Sequence, residues 1–409
     1  MKNKILSVMV IIGIVIFNMS TSVLAAGNCA FAVGGSFNDL NIEEAVTIAA
    51  NAHTKLGYHS YYAKAVDYAT LNGYFQNGTR RLESDILFLT GHGNYDHIRV
   101  GPNAGISMYI SSSEYIHTAN VNWANTKLVT LMGCSTGKET SNSGVNIAFN
   151  IFEKSGYKST TLGWRNTIYD TDIVRWANRY YNKLLNGGNL REAIDYANSY
   201  NGYYSNTIKD LAFYGEWSMV PRKSAKVTNL KSIDLKQETN ILRIKENISF
   251  TKNNQDINAI IAKLEDSYPD FNINDFEITI HLLSDTEDQF TIDFDYKIGD
   301  FYTNEGYVVS VRDGKVYEIT NNMSSPTIFT INNKENSIQK LNTDKEKMIL
   351  EEAKENLKRQ NKEISKAEVE TQEIRYFINR TTNEKSVTVL TQYKLEDGSM
   401  GGNSYTKQI

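Results

Sequence analysis

Two short runs hold the side chains with the clearest chemical potential, Gly91-His92-Gly93-Asn94 and Gly133-Cys134-Ser135-Thr136-Gly137. An imidazole beside a thiol is the minimum needed to generate a thiolate nucleophile. Each run directly follows an apolar stretch, residues 85–90 and 128–132, that reads as a strand covered on both faces. Parallel neighbours ending together would bring His92 beside Cys134 at the carboxyl edge, where open α/β sheets carry their sites. Gly93 lets backbone N–H groups approach a developing oxyanion, and Gly133 permits the turn that exposes the sulfur. Either run alone is weak evidence, because His-Gly is usually a turn and Gly-Cys a buried small residue. Together, each at a strand end, they point to thiol chemistry.

Positioning these residues requires an alternating α/β pattern, and the chain carries one as far as Pro221. Strands are expected at 30–33, 85–90, 128–132, 159–163 and 211–214. Helices are expected at 42–56, led by Asn41 as N-cap, and at 144–155, 171–185 and 190–199. The fold expected is therefore an open, mostly parallel sheet flanked by helices on both sides. After Pro221 the texture changes to charged, alternating strands with two isolated helices. Residues 223–252 read as a linker or ordered tether, and residues 253–409 as an α+β module of helix plus antiparallel sheet. In it, helices at 256–268 and 344–360 each precede strands, with Asp313-Gly314 as a hairpin turn. Two related helix-plus-sheet units are expected.

The sequence opens with Lys2 and Lys4, an apolar run at 5–17 and the small residues Ala25-Ala26. That is the pattern of a secretory signal peptide, residues 1–26, and predicts a secreted protein with no integral membrane segment after cleavage. A lipid-attachment role for Cys29 is rejected because Asn28 precedes it. The chain has 409 residues, is 41% hydrophobic and carries a net charge of −4, enough apolar content for real cores. With no basic stripe, it is not a nucleic-acid binder. Cys29 and Cys134 are the only cysteines; in an oxidising compartment the plain expectation is one disulfide, and against it stands the strand-end setting of Cys134.

The order strand–His-Gly, then strand–small-Cys, resembles the caspase-like cysteine peptidases, which include gingipains, clostripain, separase and the CHAT proteases. Residues 155–172, S-G-Y-K-S-T-T-L-G-W-R-N-T-I-Y-D-T-D, are similar to the Gly-led strand of CHAT domains, which ends in tryptophan before an acidic residue. Tyr180-Tyr181 and Leu190-Arg191-Glu192-Ala193-Ile194 are similar to the two helices that close such domains. The resemblance spans roughly residues 30–217 and implies a caspase-like fold at 27–222. It implies His92 as general base and acid, Cys134 as nucleophile, and the Gly93 and Cys134 amides as the oxyanion hole, with no cofactor and a protein or peptide substrate. Several such peptidases cut after arginine or lysine, which makes Asp39, Asp170 and Asp172 candidate substrate-binding carboxylates. Taken singly, each is better read as an exposed loop or helix-capping aspartate. In the second region, Y-V-V-S-V-R-D-G-K-V-Y-E-I is similar to PepSY domains, which occur in peptidase propeptides. The module is therefore expected to act as an inhibitor in cis, or else as a spacer.

Rival chemistries are less well supplied. His92, Asn94, Asp96 and His97 approach the metallo-β-lactamase signature, but an amide stands where a histidine ligand belongs. Papain-like and NlpC-like hydrolases place cysteine before histidine, the reverse of the order here. A non-enzymatic alternative is a degenerate caspase-like binding protein of the cell surface.

Overall fold

The computed structural model describes residues 28–409 except 36, 38, 65, 141–144, 223–239, 325–339, 361–366 and 381. The signal-peptide reading therefore falls outside the described residues. The protein is a mixed α/β structure whose seventeen described strands are linked edge to edge through parallel and antiparallel pairings, with seven helices among the described residues.

The first half is built on strands β1 (Cys29–Gly34), β2 (His59–Ala63), β3 (Ile86–Asn94), β4 (His97–Gly101), β5 (Ala104–Ser107), β6 (Tyr115–His117), β7 (Leu128–Gly133), β8 (Thr160–Trp164) and β9 (Leu211–Tyr214). Its main sheet runs β2-β1-β3-β7-β8-β9, parallel throughout except for the antiparallel edge strand β9. Successive side chains of a strand point to opposite faces, and the apolar runs use both. Ala30, Ala32 and Phe88 pack under helices α1 (Glu43–Lys55), α4 (Asp170–Leu185) and α5 (Leu190–Asn198). Phe31, Val33, Leu87 and Leu89 face the other core, with the short helix α2 (Tyr68–Leu71), helix α3 (Ile147–Lys154) and strands β4 to β6. Double coverage is why these strands read as continuous apolar runs. Asn41 does not cap α1: the N-cap is Ile42, without a side-chain bond, and the Asn41 N–H donates to Asp170 instead.

The second half holds β10 (Asn240–Arg243), helix α6 (Ile257–Ser267), β11 (Phe276–Leu282), β12 (Phe290–Ile298), β13 (Phe301–Arg312) and β14 (Lys315–Asn321), then helix α7 (Thr343–Gln360), β15 (Glu368–Ile378), β16 (Lys385–Lys394) and β17 (Met400–Gln408). The antiparallel order β11-β12-β13-β14-β10 and the antiparallel set β15-β16-β17 each carry one helix, and β13 joins them by a short parallel pairing to β15. Asp313 and Gly314, at φ 49° and 71°, make the hairpin turn between β13 and β14. Of the tether expected at 223–252, the described part belongs to the module. Residues 223–239 lie outside the described set, whereas β10 pairs with β14 and Phe250 is buried in the module core.

The two halves meet over a wide polar seam. Lys209 and Asp293 form a buried ion pair at 2.6 Å, His281 lies between Asp210 and Asp293, and Arg312 reaches Asp195 at 2.6 Å. At the other end, Met400 of β17 pairs with Gly93 of β3, so the module sheet continues into the strand that carries His92.

Candidate active site

Strand β3 changes partners where the chemistry begins. Up to Gly91 it pairs parallel with β7, Gly91 opposite Gly133; from His92 it turns to β4, His92 opposite Arg99. His92 and Cys134 therefore follow directly on a facing pair, Gly91 and Gly133, but His92 still lies within β3, which the sequence reading ends at residue 90. A Cβ added at Gly93 would lie 2.5 Å from the Cys134 carbonyl oxygen and 2.9 Å from its nitrogen. Only glycine allows this approach, and it sets the Gly93 backbone against that of the cysteine.

The loop bearing the thiol turns sharply. Ser135 takes a left-handed conformation, φ 59°, uncommon for a residue with a side chain and typical of functional turns. Its N–H donates to the Asn166 carbonyl at 3.1 Å, and the Gly137 N–H donates to that of Trp164 at 2.8 Å, which ties the loop to the end of β8. The Cys134 sulfur donates to the Ile168 carbonyl at 3.6 Å. Cys134 is 3% exposed, and burial pushes its thiol up to about 12.

His92 is held by Asp39. Its Nε2 lies 3.0 Å from Asp39 Oδ2, and the Phe37 ring stands edge-on to the imidazole at 4.4 Å. Nδ1 has no hydrogen-bond partner among the described residues. One ring nitrogen is thus held by a carboxylate and the other is buried without a partner, while the Cys134 thiol is turned to the Ile168 carbonyl. Burial opposes the charge on Asp39, but adjacent His92 and the hydrogen bonds from His92 and Tyr393 outweigh it and hold the carboxyl below its ordinary range. Asp39, expected at the substrate, is engaged here as the positioning residue of the histidine.

The other two aspartates part company. Asp172 is fully buried and accepts the N–H groups of Tyr204 and Ser205 at 3.1 and 2.8 Å, which makes it an anchor for that loop. Asp170 faces β17: one oxygen accepts the Ser404 N–H at 3.3 Å and the Ser404 hydroxyl at 2.8 Å. Burial raises the carboxyls of both, that of Asp172 to about 7.

Strand β17 and its neighbour β16 cover this whole constellation. Tyr393, fully buried, donates its hydroxyl to Asp39 Oδ2 at 2.5 Å and sets its ring 5.8 Å from that of His92. The Asn403 amide donates to the Asp39 carbonyl at 3.0 Å, and the Asn94 amide to that of Gly398 at 3.0 Å. Sequence reasoning missed Tyr393 and the run Met400-Gly401-Gly402-Asn403-Ser404. The glycine pair was the one visible signal, and a pair of glycines by itself names no partner.

His97, the second histidine of the metallo-β-lactamase comparison, holds Asp96 at 2.7 Å through Nδ1. No group of three His, Cys, Asp or Glu side chains placed to hold a metal occurs among the described residues. Both cysteines are free thiols. Cys29 begins β1 and Cys134 follows the end of β7, at opposite ends of parallel strands with β3 between them, well beyond the roughly 7 Å between Cα atoms that a disulfide can span. No described helix is long and apolar enough to cross a membrane. No family model matches the chain, and no curated protein matches it significantly.

Proposed function

We propose that this protein is an exported cysteine endopeptidase of the caspase-like type, held latent by its own C-terminal module. The observation that supports the reading is the register of β3 and β7, whose parallel pairing ends at Gly91 opposite Gly133, immediately before His92 and Cys134. The five parallel strands with helices on both faces are what the resemblance implies for such a fold. The signal-like leader supports export.

In the proposed reaction, His92 takes the proton of the Cys134 thiol as the sulfur attacks a peptide carbonyl. Asp39 keeps the ring oriented through Nε2 and stabilises the imidazolium. The oxyanion of the tetrahedral intermediate is received by the Gly93 and Cys134 amides. Collapse expels the amine, which takes its proton from His92, and leaves a thioester. Water, deprotonated by His92, then releases the acid and the free thiol. Asp170 loses its Ser404 partners when β17 leaves the cleft and would then face a bound side chain, so arginine or lysine before the scissile bond is the expected preference.

Burial pushes the thiol up, and in the proposed latent state β17 keeps water and substrate from it. The same burial favours a second reading, a caspase-like binding protein whose cysteine is inert. A full-length chain carrying Ser404→Asp separates the two. A carboxylate opposite Asp170 repels β17 from the cleft, and a peptide chloromethyl ketone should then alkylate Cys134, with hydrolysis of a mixed peptide library. Cys134→Ala in the same background should abolish both. Hydrolysis that survives Cys134→Ala rules out the mechanism, and a reactive thiol without hydrolysis favours the binding protein.

A further inference from the structure

The segment Met400–Ser404 crosses the cleft as an extended chain, and each of its polar contacts has a counterpart in substrate binding. Met400 pairs with Gly93, the strand end expected to supply an oxyanion donor. Asn403 and Ser404 give their side chains to the Asp39 carbonyl and the Asp170 carboxylate. Backbone pairing with a strand edge, plus side-chain pockets at intervals, is the general way an extended peptide is held.

Between these anchors stand two glycines with different reasons to be there. A Cβ on Gly401 would fall 2.3 Å from the Tyr393 ring, its own cross-strand partner. That constraint belongs to the module, since it lets Tyr393 lie flat and reach Asp39. A Cβ on Gly402 would instead fall 2.4 Å from the Ile168 carbonyl oxygen and 2.9 Å from the Thr167 methyl, both on the cleft wall. The Ile168 carbonyl is also the acceptor of the Cys134 thiol. The wall that excludes a side chain is therefore the one beside the nucleophile, and backbone atoms there cannot yield as a flexible side chain would.

We propose that the cleft contains a glycine-selective subsite opposite the Ile168 carbonyl, occupied in the latent protein by Gly402, and that its substrates are extended peptides with glycine at that position. This rests on the peptidase reading for its biological meaning, but not for its test. Two occupants share the geometry. In cis, β17 fills the subsite and masks the thiol; in trans, a glycine-containing chain takes the same place once β17 is displaced.

The test uses the full-length chain carrying Gly402→Ala, whose added methyl drives β17 off the wall, with Ser404→Asp as an independent opener should the first variant fold poorly. In either background Cys134 should become reactive to iodoacetamide. The hexapeptide Ser-Met-Gly-Gly-Asn-Ser, which copies residues 399–404, should then slow alkylation. The same peptide with alanine for its second glycine should protect roughly ten-fold less well. Equal protection by the two peptides overturns the proposal, as does no protection by either, or a thiol that stays masked in both variants. Mass spectrometry of the peptides from the same samples reads hydrolysis separately. Protection without cleavage would sink the peptidase reading and leave the subsite standing, whereas cleavage without glycine selectivity would do the reverse.

Discussion

The hydroxyl of Tyr393 and the Nε2 of His92 meet at the same oxygen of Asp39, 2.5 and 3.0 Å away. A residue of the C-terminal module thus completes the hydrogen bonding of the carboxylate that orients the candidate base. The cover does more than block the cleft: it is wired to the group on which the base depends. Burial and the neighbouring Asp39 charge both push the Tyr393 phenol far above its ordinary range, so it remains a donor at any working pH.

Removing that donor should loosen the cover without disturbing the shape of the core. Tyr393→Phe leaves a buried carboxylate with one fewer partner, a loss of about 1–3 kcal/mol. The denaturant midpoint should fall accordingly, and Cys134 should alkylate faster than in the parent chain. An unchanged midpoint together with an unchanged alkylation rate would show that the contact holds nothing in place.

A thiol pushed up to about 12 should be almost silent in the intact protein. Near pH 8 only about one part in ten thousand would be thiolate, against roughly a quarter for an unperturbed cysteine. Iodoacetamide should therefore label Cys134 at least about a hundred-fold more slowly than a free thiol in the parent chain. Ser404→Asp should recover much of that factor. Rapid labelling of the parent chain at Cys134 would mean that β17 does not close the cleft.

The seam between the halves should weaken in alkali. His281 Nδ1 lies 2.7 Å from Asp210 and its Nε2 3.2 Å from Asp293, while Lys209 shares Asp293 from the other side. Burial opposes the imidazolium, but the two carboxylates prevail and raise its pKa to about 9. A raised folded value means that the stabilisation is complete below about pH 6.5 and is lost as pH climbs through about 9. The thermal midpoint should fall over that window, and His281→Asn should be less stable at pH 6 with a flatter profile above it. A parent profile as flat as that of the variant would contradict the assignment.

Much of the site is legible because its strands are buried on both faces. The runs ending at Thr90 and Met132 have no polar alternation to blur them, and the helices at Asp170–Leu185 and Leu190–Asn198 carry strong apolar stripes. The strand Met400–Gln408 was not legible, since M-G-G-N-S-Y-T-K-Q lacks both apolar alternation and β-branched residues apart from one threonine. It is a strand because β16 and Gly93 supply pairing partners, a tertiary cause that no local pattern records. The contact of Asp39 with His92 is hidden for a similar reason. An aspartate after a strand looks the same whether it will face a substrate, a helix end or an imidazole 53 residues away.

The two aspartates of α4 should separate specificity from stability. Asp172 holds Tyr204 and Ser205 from a fully buried position, and burial lifts its carboxyl to about 7. Its folded value is raised, so stability it supports at low pH is lost as pH rises through about 7. Asp172→Asn should flatten that part of the stability profile and leave peptide preference unchanged. Asp170, by contrast, points at the strand that fills the cleft. In the Ser404→Asp background, Asp170→Asn should remove the charge that receives an arginine or lysine side chain. The kcat/KM advantage of arginine over norleucine peptides should then drop by roughly ten- to a hundred-fold, with little change for the norleucine peptide. If both asparagine variants leave the preference intact, neither aspartate lines the specificity pocket. If Asp172→Asn alone abolishes it, the pocket lies under the Tyr204–Ser205 loop and not beneath β17.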